Sequence, residues 1–74
     1  MAVIRFKLRS GAIEREMQKQ MMSISELSRM SGLSRPAIYS LIKEDVDFVR
    51  VATCRKVSLA LGVDVTDLFE VVGE

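Results

Sequence analysis

Several residue types are missing or rare in this chain of 74 residues, which has no histidine, no tryptophan and one cysteine, Cys54. Without histidine the chain lacks the most common general base and metal ligand at neutral pH. A single thiol cannot form an internal disulfide, and it cannot complete the ligand set of a zinc site. We therefore expect no metal, no cofactor and no enzymatic activity, and so little cysteine is typical of an intracellular, cytoplasmic protein.

Long apolar runs and aromatic residues are also scarce. No stretch approaches the roughly 20 apolar residues that span a membrane, so we expect neither a signal peptide nor membrane association. The chain has one tyrosine and three phenylalanines although 49% of its residues are hydrophobic, which predicts an aliphatic core rich in its five methionines. A single domain over residues 1–74 is close to the size at which one core is marginally stable, and this favours a homodimer.

The charged residues are distributed unevenly, although the formal net charge is only +1. Residues 1–43 carry eight Lys and Arg residues against three acidic ones, a net charge of +5, whereas residues 44–74 carry three against seven, a net charge of −4. This asymmetry predicts that the basic half faces a polyanion and that the acidic half faces elsewhere, for example a protein partner. Two ordinary solvated faces are the alternative.

The first nine residues have the pattern of a β-strand. Ile4, Phe6 and Leu8 alternate with polar residues, and this period of two predicts a strand over residues 1–9. An isolated strand leaves its backbone donors and acceptors unpaired. We expect it to pair with the C-terminal segment "FEVV", with the equivalent strand of a second subunit, or with both.

The rest of the chain has helical periodicity. Ile13, Met17 and Met21 recur at the spacing of one helix face, as in an amphipathic helix. Cys54 lies among apolar positions of a later helix and is expected to be a buried structural thiol. The predicted helices cover residues 12–22, 24–31, 35–43, 51–61 and 65–69.

Two of these helices meet at a short joint. Ser23 followed by Glu26 matches the capping box that begins a helix, and Gly32 fits the left-handed position that ends one. Ser34 is a candidate N-cap for the next helix, where Pro36 is tolerated in the first turn. Because a proline disfavours helical dihedrals in the preceding residue, the sequence leaves open whether Ser34 or Arg35 is the half-helical residue.

Two short helices joined by a glycine-containing turn form a helix-turn-helix arrangement. The turn holds the second helix across the first, so the outer side of the second helix projects from the surface. A helix about 10–12 Å in diameter fits the major groove of B-form DNA. The joint therefore predicts a helix that is presented to double-stranded DNA.

The segments "SISELSRMSGLSRPAIYSLIK" and "VSLALGVDVTDLF" resemble the Cro and phage-repressor (lambda-repressor-like) family. The resemblance covers about residues 12–69. It implies a mainly α, five-helix DNA-binding domain, here preceded by the β-strand described above. It also implies that residues 35–43 form the recognition helix.

The resemblance implies roles for individual residues. Arg35 takes the first base-reading position, where arginine pairs with guanine, and Pro36 and Ser40 take further reading positions. Tyr39 lies beside them and reaches a base or a phosphate, while Lys43 and the start of the second helix meet the DNA backbone. The predicted DNA-binding residues are Ser23, Ser25, Ser34, Arg35, Pro36, Tyr39, Ser40 and Lys43.

The same residues also have plainer interpretations. Ser23 and Ser34 are helix caps, Arg35 and Lys43 are solvated charges, and Tyr39 covers a neighbouring helix or a partner protein. The sequence departs from the family pattern in two places. Ile24 stands where the family often has glutamine, and the usually polar or basic loop after the recognition helix is acidic over residues 44–47, which repels phosphates.

Together these observations predict a sequence-specific DNA-binding transcriptional regulator, acting as a dimeric repressor of phage, mobile-element or toxin–antitoxin type. The alternative function is a protein-interaction module that uses the same fold without binding DNA. In that case the acidic C-terminal half would be the contact surface. A steep salt dependence and discrimination between DNA sequences distinguish the first function from the second.

Overall fold

A computed structural model of the chain describes residues 4–43 and 48–73. It shows five helices and a two-stranded antiparallel sheet, which confirms the predicted mainly α fold with a strand at its start. The elements are β1 (Ile4–Leu8), α1 (Ala12–Lys19), α2 (Ile24–Ser31), α3 (Arg35–Ile42), α4 (Val51–Leu61), α5 (Val65–Leu68) and β2 (Phe69–Gly73). The acidic loop 44–47 and the first three residues of the predicted strand lie outside the described residues. No helix in the described ranges is long and apolar enough to cross a membrane.

The strand β1 pairs with β2 of the same chain, so the predicted partner in the C-terminal segment is confirmed. Leu8 lies opposite Phe69, and both side chains are buried. On its other edge β1 accepts a backbone hydrogen bond, at 2.8 Å, from the N–H of Val49 to the carbonyl of Phe6. The strand therefore joins the C-terminal strand to the segment that precedes α4.

The core is aliphatic, as expected, but among the described residues it contains only one buried methionine, Met17. Met21 is 91% exposed and Met30 is 55% exposed, so the expectation of a methionine-rich core is wrong. The fully buried side chains include Ile13, Leu27, Ile38, Val57, Leu68 and Phe69. Cys54 is also buried, as predicted, and burial raises the pKa of its thiol to about 11.

The first helix ends at Lys19 and does not reach residue 22 as predicted. Met21 adopts a left-handed backbone with φ of 51°, and its N–H bonds to the carbonyl of Gln18 at 3.1 Å. The N–H of Met22 bonds to the carbonyl of Met17 at 2.8 Å. These two bonds form a Schellman-type ending, which turns Met21 off the apolar stripe and into solvent.

Three other helix ends follow local rules. Asp64 caps α5 by accepting from the N–H of Thr66 at 2.9 Å, and this bond, with a second from the Thr66 hydroxyl, lowers the pKa of Asp64. The helix α5 ends at Leu68, one residue before the predicted end, because Phe69 is extended and begins β2.

The helix α3 is also one residue shorter than predicted. It ends at Ile42, and Lys43, predicted as its last residue, is the C-cap.

Candidate nucleic-acid interface

A network of short hydrogen bonds fixes the turn between α2 and α3. Gly32 ends α2 with φ of 77°, a left-handed conformation that glycine adopts without steric cost. The hydroxyl of Ser28 donates to the carbonyl of Leu33 at 2.6 Å, and the N–H of Leu33 donates to the Ser31 hydroxyl at 3.2 Å. Because both polar groups of Leu33 are held by α2, the direction in which α3 leaves the turn is constrained.

The next helix begins at the serine. The Ser34 hydroxyl accepts a hydrogen bond from the N–H of Ala37 at 3.3 Å, and the backbone of Ser34 is extended. Arg35 is the first helical residue and Pro36 follows it in the first turn. This settles the question that the sequence left open, since Ser34 is the half-helical residue. The side chains of Arg35 and Pro36 are both exposed at the tip of α3.

The two sides of α3 differ sharply in burial. Ile38 and Leu41 are buried against the rest of the domain. Tyr39 is 48% exposed, Lys43 is exposed at the end of the helix, and Ser40 is half-buried at the edge. The predicted residues of α3 therefore share one outward side, and their contact with DNA stays a prediction.

The start of α2 carries the other predicted contacts. The Ser23 hydroxyl accepts from the N–H of Glu26 at 3.2 Å, and the Glu26 carboxylate accepts from the N–H of Ser23 at 3.4 Å, so the capping box is confirmed. Ser25 is exposed in the first turn, and Ile24 packs partly against the core. Ser23 therefore has a structural role in the cap whether or not it also meets a phosphate.

Two surface grooves flank α3. The groove of about 350 Å³ separates it from the end of α1 and is mainly apolar, and its lining includes Met21, Ile24 and Tyr39. The groove on the other side, of about 250 Å³, lies between α3 and the start of α4. Its lining residues are Ala37, Ser40, Leu41, Phe48, Val49, Arg50 and Thr53.

The second groove brings together residues that sequence reasoning did not assign to the site. Phe48 and Arg50 lie beside Ser40 although they are separated from it by the acidic loop. The guanidinium of Arg5 lies 5.0 Å from the centre of the Phe48 ring. The sequence shows only that Phe48 follows the acidic residues 44–47. That position does not indicate that its ring contacts a residue of β1.

Ion pairs between side chains are scarce in the described residues. The one within these ranges joins Lys19 to Glu16 on α1, at 3.3 Å. Over the same ranges no group of three or more His, Cys, Asp or Glu side chains is placed to hold a metal ion. The cations on the outward side of α3, Arg35 and Lys43, therefore form no ion pair within the described ranges.

Comparison with known proteins identifies the same arrangement. Residues 12–74 match the family described as the Cro/C1-type HTH DNA-binding domain. The chain is similar in fold to the restriction-modification controller protein C.AhdI from Aeromonas hydrophila, with a TM-score of 0.71, 17% sequence identity, and coverage of 78% of this chain and 86% of that chain. It is also similar to SinR, the master regulator for biofilm formation, solved in complex with DNA, with a TM-score of 0.71, 23% identity, and coverage of 77% of this chain and 90% of that chain.

No curated protein sequence gives a significant match to the chain. The two structural likenesses, at these identities, establish the fold alone. The family match, in contrast, begins at the first residue of α1 and includes all five helices and β2. The protein therefore belongs to the Cro/C1-type helix-turn-helix DNA-binding domain family.

Proposed function

We propose that this protein is a sequence-specific transcriptional regulator that reads the major groove of double-stranded DNA with α3. The observation that carries the proposal is the exposed, N-terminally capped tip of α3, held at a fixed angle by the hydrogen bonds of Ser28 and Ser31. A rigid helix places its side chains against base edges with little loss of conformational entropy on binding. The family membership supports DNA as the partner.

The tip of α3 reads the bases in this proposal. Arg35 is exposed at the first position of the helix and donates two hydrogen bonds to the O6 and N7 atoms of a guanine. Pro36 offers only apolar contact, which suits a thymine methyl group. Ser40, one turn further along, contacts a base edge, and Tyr39 reaches a base or a phosphate beside it.

The flanks of the site bind the DNA backbone. The first turn of α2, an eight-residue helix, directs its backbone N–H groups and the positive end of its dipole toward a phosphate, and Ser25 adds a hydroxyl donor. Lys43, exposed at the end of α3, supplies a cation to a backbone phosphate. These contacts position the protein without reading sequence.

We further propose that the protein binds a two-fold site as a homodimer, joined along the outer edge of β2. The carbonyl of Phe6 points to Val49 and therefore away from β2. Phe6 and Val71 are thus a non-hydrogen-bonded pair of the antiparallel sheet, and in such a pair the backbone groups of both residues point away from each other. The N–H and carbonyl of Val71 therefore point to the outer edge of β2. Val71 is 51% exposed, and "FEVVG" has none of the lysines or prolines with which proteins protect a free edge. Two copies of β2 pair antiparallel about a two-fold axis at Val71.

Sedimentation equilibrium tests this dimer. Val71→Lys places like charges at the axis and is expected to give a monomer, whereas the matched control Val71→Thr keeps the branched side chain and is expected to remain a dimer. If Val71→Lys still sediments as a dimer, the subunits join elsewhere and the edge assignment is wrong.

The regulator is expected to act as a repressor of the phage, mobile-element or toxin–antitoxin type. Selection of bound duplexes from a random pool, followed by titration at several salt concentrations, tests the function. A consensus sequence and a steep fall of affinity with salt are the expected results. Weak binding that is equal for all duplexes, together with capture of a protein through the acidic half, would favour the interaction module instead.

A further inference from the structure

Two neighbouring residues of the strand β1 contact the segment that precedes α4. The backbone of Phe6 accepts a hydrogen bond from Val49 at 2.8 Å. One residue earlier, the guanidinium of Arg5 lies over the ring of Phe48, 5.0 Å from its centre. A cation at this distance from an aromatic face is held by the ring quadrupole. The side chain of Arg5 is therefore directed toward the connection between α3 and α4.

That connection forms one wall of the groove beside the recognition helix. Phe48 and Val49 line the groove on one side, and Ala37 and Ser40 of α3 line it on the other. The Arg5 guanidinium lies over the same Phe48 ring, so a cation from the N-terminal strand contacts one wall of the groove that flanks α3. In B-form DNA the major groove is about 12 Å wide and is bordered by the phosphates of both strands. An element beside a helix in the groove therefore meets the sugar–phosphate backbone.

The chemistry of the stacked arginine suits a phosphate. A guanidinium that lies on a ring keeps its N–H groups free at the edge of its plane, where they bind phosphate oxygens in pairs. The stacking also limits the conformations of Arg5 before DNA binds, which lowers the entropy cost of binding. Lys7, two residues along the same strand face, lies opposite Glu70, whereas Arg5 lies opposite Val72. Of these two cations, Arg5 is the one whose directly opposite residue in β2 is uncharged.

We infer that Arg5 is a phosphate-binding residue of the DNA interface, placed there by Phe48, and that β1 thus extends the contact surface beyond the helix-turn-helix. The inference rests on the proposed function. It assigns to Arg5 a contact that anchors the protein on DNA of any sequence, in contrast to Arg35.

The test compares Arg5→Gln with Arg55→Gln, a matched loss of one charge on the exposed side of α4. Fluorescence anisotropy with the selected duplex and a random duplex, at several salt concentrations, gives affinity and salt slope. Arg5→Gln is expected to weaken binding to both duplexes by the same factor, several-fold at low salt, and to lower the salt slope by about one. Phe48→Leu, which removes the ring but no charge, is expected to weaken both with a smaller change of slope.

Equal effects of Arg5→Gln and Arg55→Gln would overturn the inference, because only the net charge would then matter. A second competing role is that Arg5 neutralises the acidic residues 44–47. In a background of Glu44→Gln, Asp45→Asn and Asp47→Asn, the Arg5→Gln effect is expected to persist, and its disappearance would overturn the phosphate contact. Thermal melting checks that each variant is folded. If Arg35→Ala loses discrimination while Arg5→Gln behaves like the control, the proposed function stands and only this inference fails.

Discussion

The hydroxyl of Ser28 and the backbone carbonyl of Leu33 are joined by a hydrogen bond of 2.6 Å across the turn between α2 and α3. We predict that Ser28→Ala lowers the free energy of unfolding by about 1 kcal/mol, because a partly buried carbonyl loses its donor. Affinity for the selected duplex should fall more than affinity for random DNA, because the direction of α3 becomes less fixed. Urea unfolding and anisotropy titrations measure the two effects. Ser28→Thr, which keeps the hydroxyl, is the control, and an equally large loss in it would show that the hydrogen bond is not the cause.

Arg35 and Lys43 occupy the two ends of α3 and are expected to act differently. Arg35→Ala should cost about 1–3 kcal/mol on the selected duplex and relax the preference at one position in each half-site. Lys43→Ala should weaken all sequences alike and lower the salt slope by about one for each phosphate that the protein no longer neutralises. Repeating the duplex selection with each variant separates the two roles. Equal losses on selected and random DNA for Arg35→Ala would remove Arg35 from base reading.

Among the residues that the structure describes, Met21 is the one non-glycine residue with a positive φ, 51°. Its side chain is 91% exposed. A left-handed backbone is unfavourable for residues with a Cβ, and little side-chain packing compensates for it here. We predict that Met21→Gly raises the free energy of unfolding by about 0.5–1 kcal/mol. Met30→Gly is the matched control, since it replaces an exposed methionine inside α2 and should lower stability by about 1 kcal/mol. Denaturant titration of both variants measures the effects, and a loss of stability in Met21→Gly would contradict the prediction.

Burial raises the pKa of the Cys54 thiol from 9.0 to about 11. The folded state thus holds its proton at a pH where the unfolded chain has released it. Stability from the neutral thiol is fully present below pH 9 and is lost as the pH rises through about 11. Unfolding free energies measured between pH 7 and roughly pH 10 should fall less steeply in Cys54→Ala. The buried Cys54 thiol should also react with a disulfide reagent only as fast as the folded protein transiently unfolds around it. Rapid modification of the folded protein would show that the thiol is accessible.

Short-range signals in the sequence predicted the helix-turn-helix well. The capping box of Ser23 and Glu26, the cap at Ser34 and the left-handed Gly32 each depend on residues within three or four positions of one another. The end of α1 was not predictable in this way, because a methionine stands at the left-handed position where a glycine would have marked it. The exposure of Met21 follows from that turn.

Pairings between distant residues were beyond the reach of the sequence patterns. The alternation in β1 predicted a strand and its two candidate partners, but choosing between them required the three-dimensional register of Leu8 against Phe69. The stacking of Arg5 on Phe48 depends on how the segment before α4 crosses β1, and no local pattern encodes that crossing. Ser40 was predicted as a base-reading residue, yet the groove that it shares with Phe48 forms only after the chain is folded.

Because β1 pairs with β2, the strand at the start of the chain cannot complete its sheet until the last element has been synthesised. The side chain of Arg9, next to β1, donates to the carbonyl of Thr66, a residue 57 positions later, and Leu8 and Phe69 meet only when β2 is present. Helices α1 to α3 therefore leave the ribosome while β1 still lacks its partner, and contacts over so long a sequence separation form slowly. The helix α3 is synthesised early, but the domain that holds it in place is completed only after β2 has been translated.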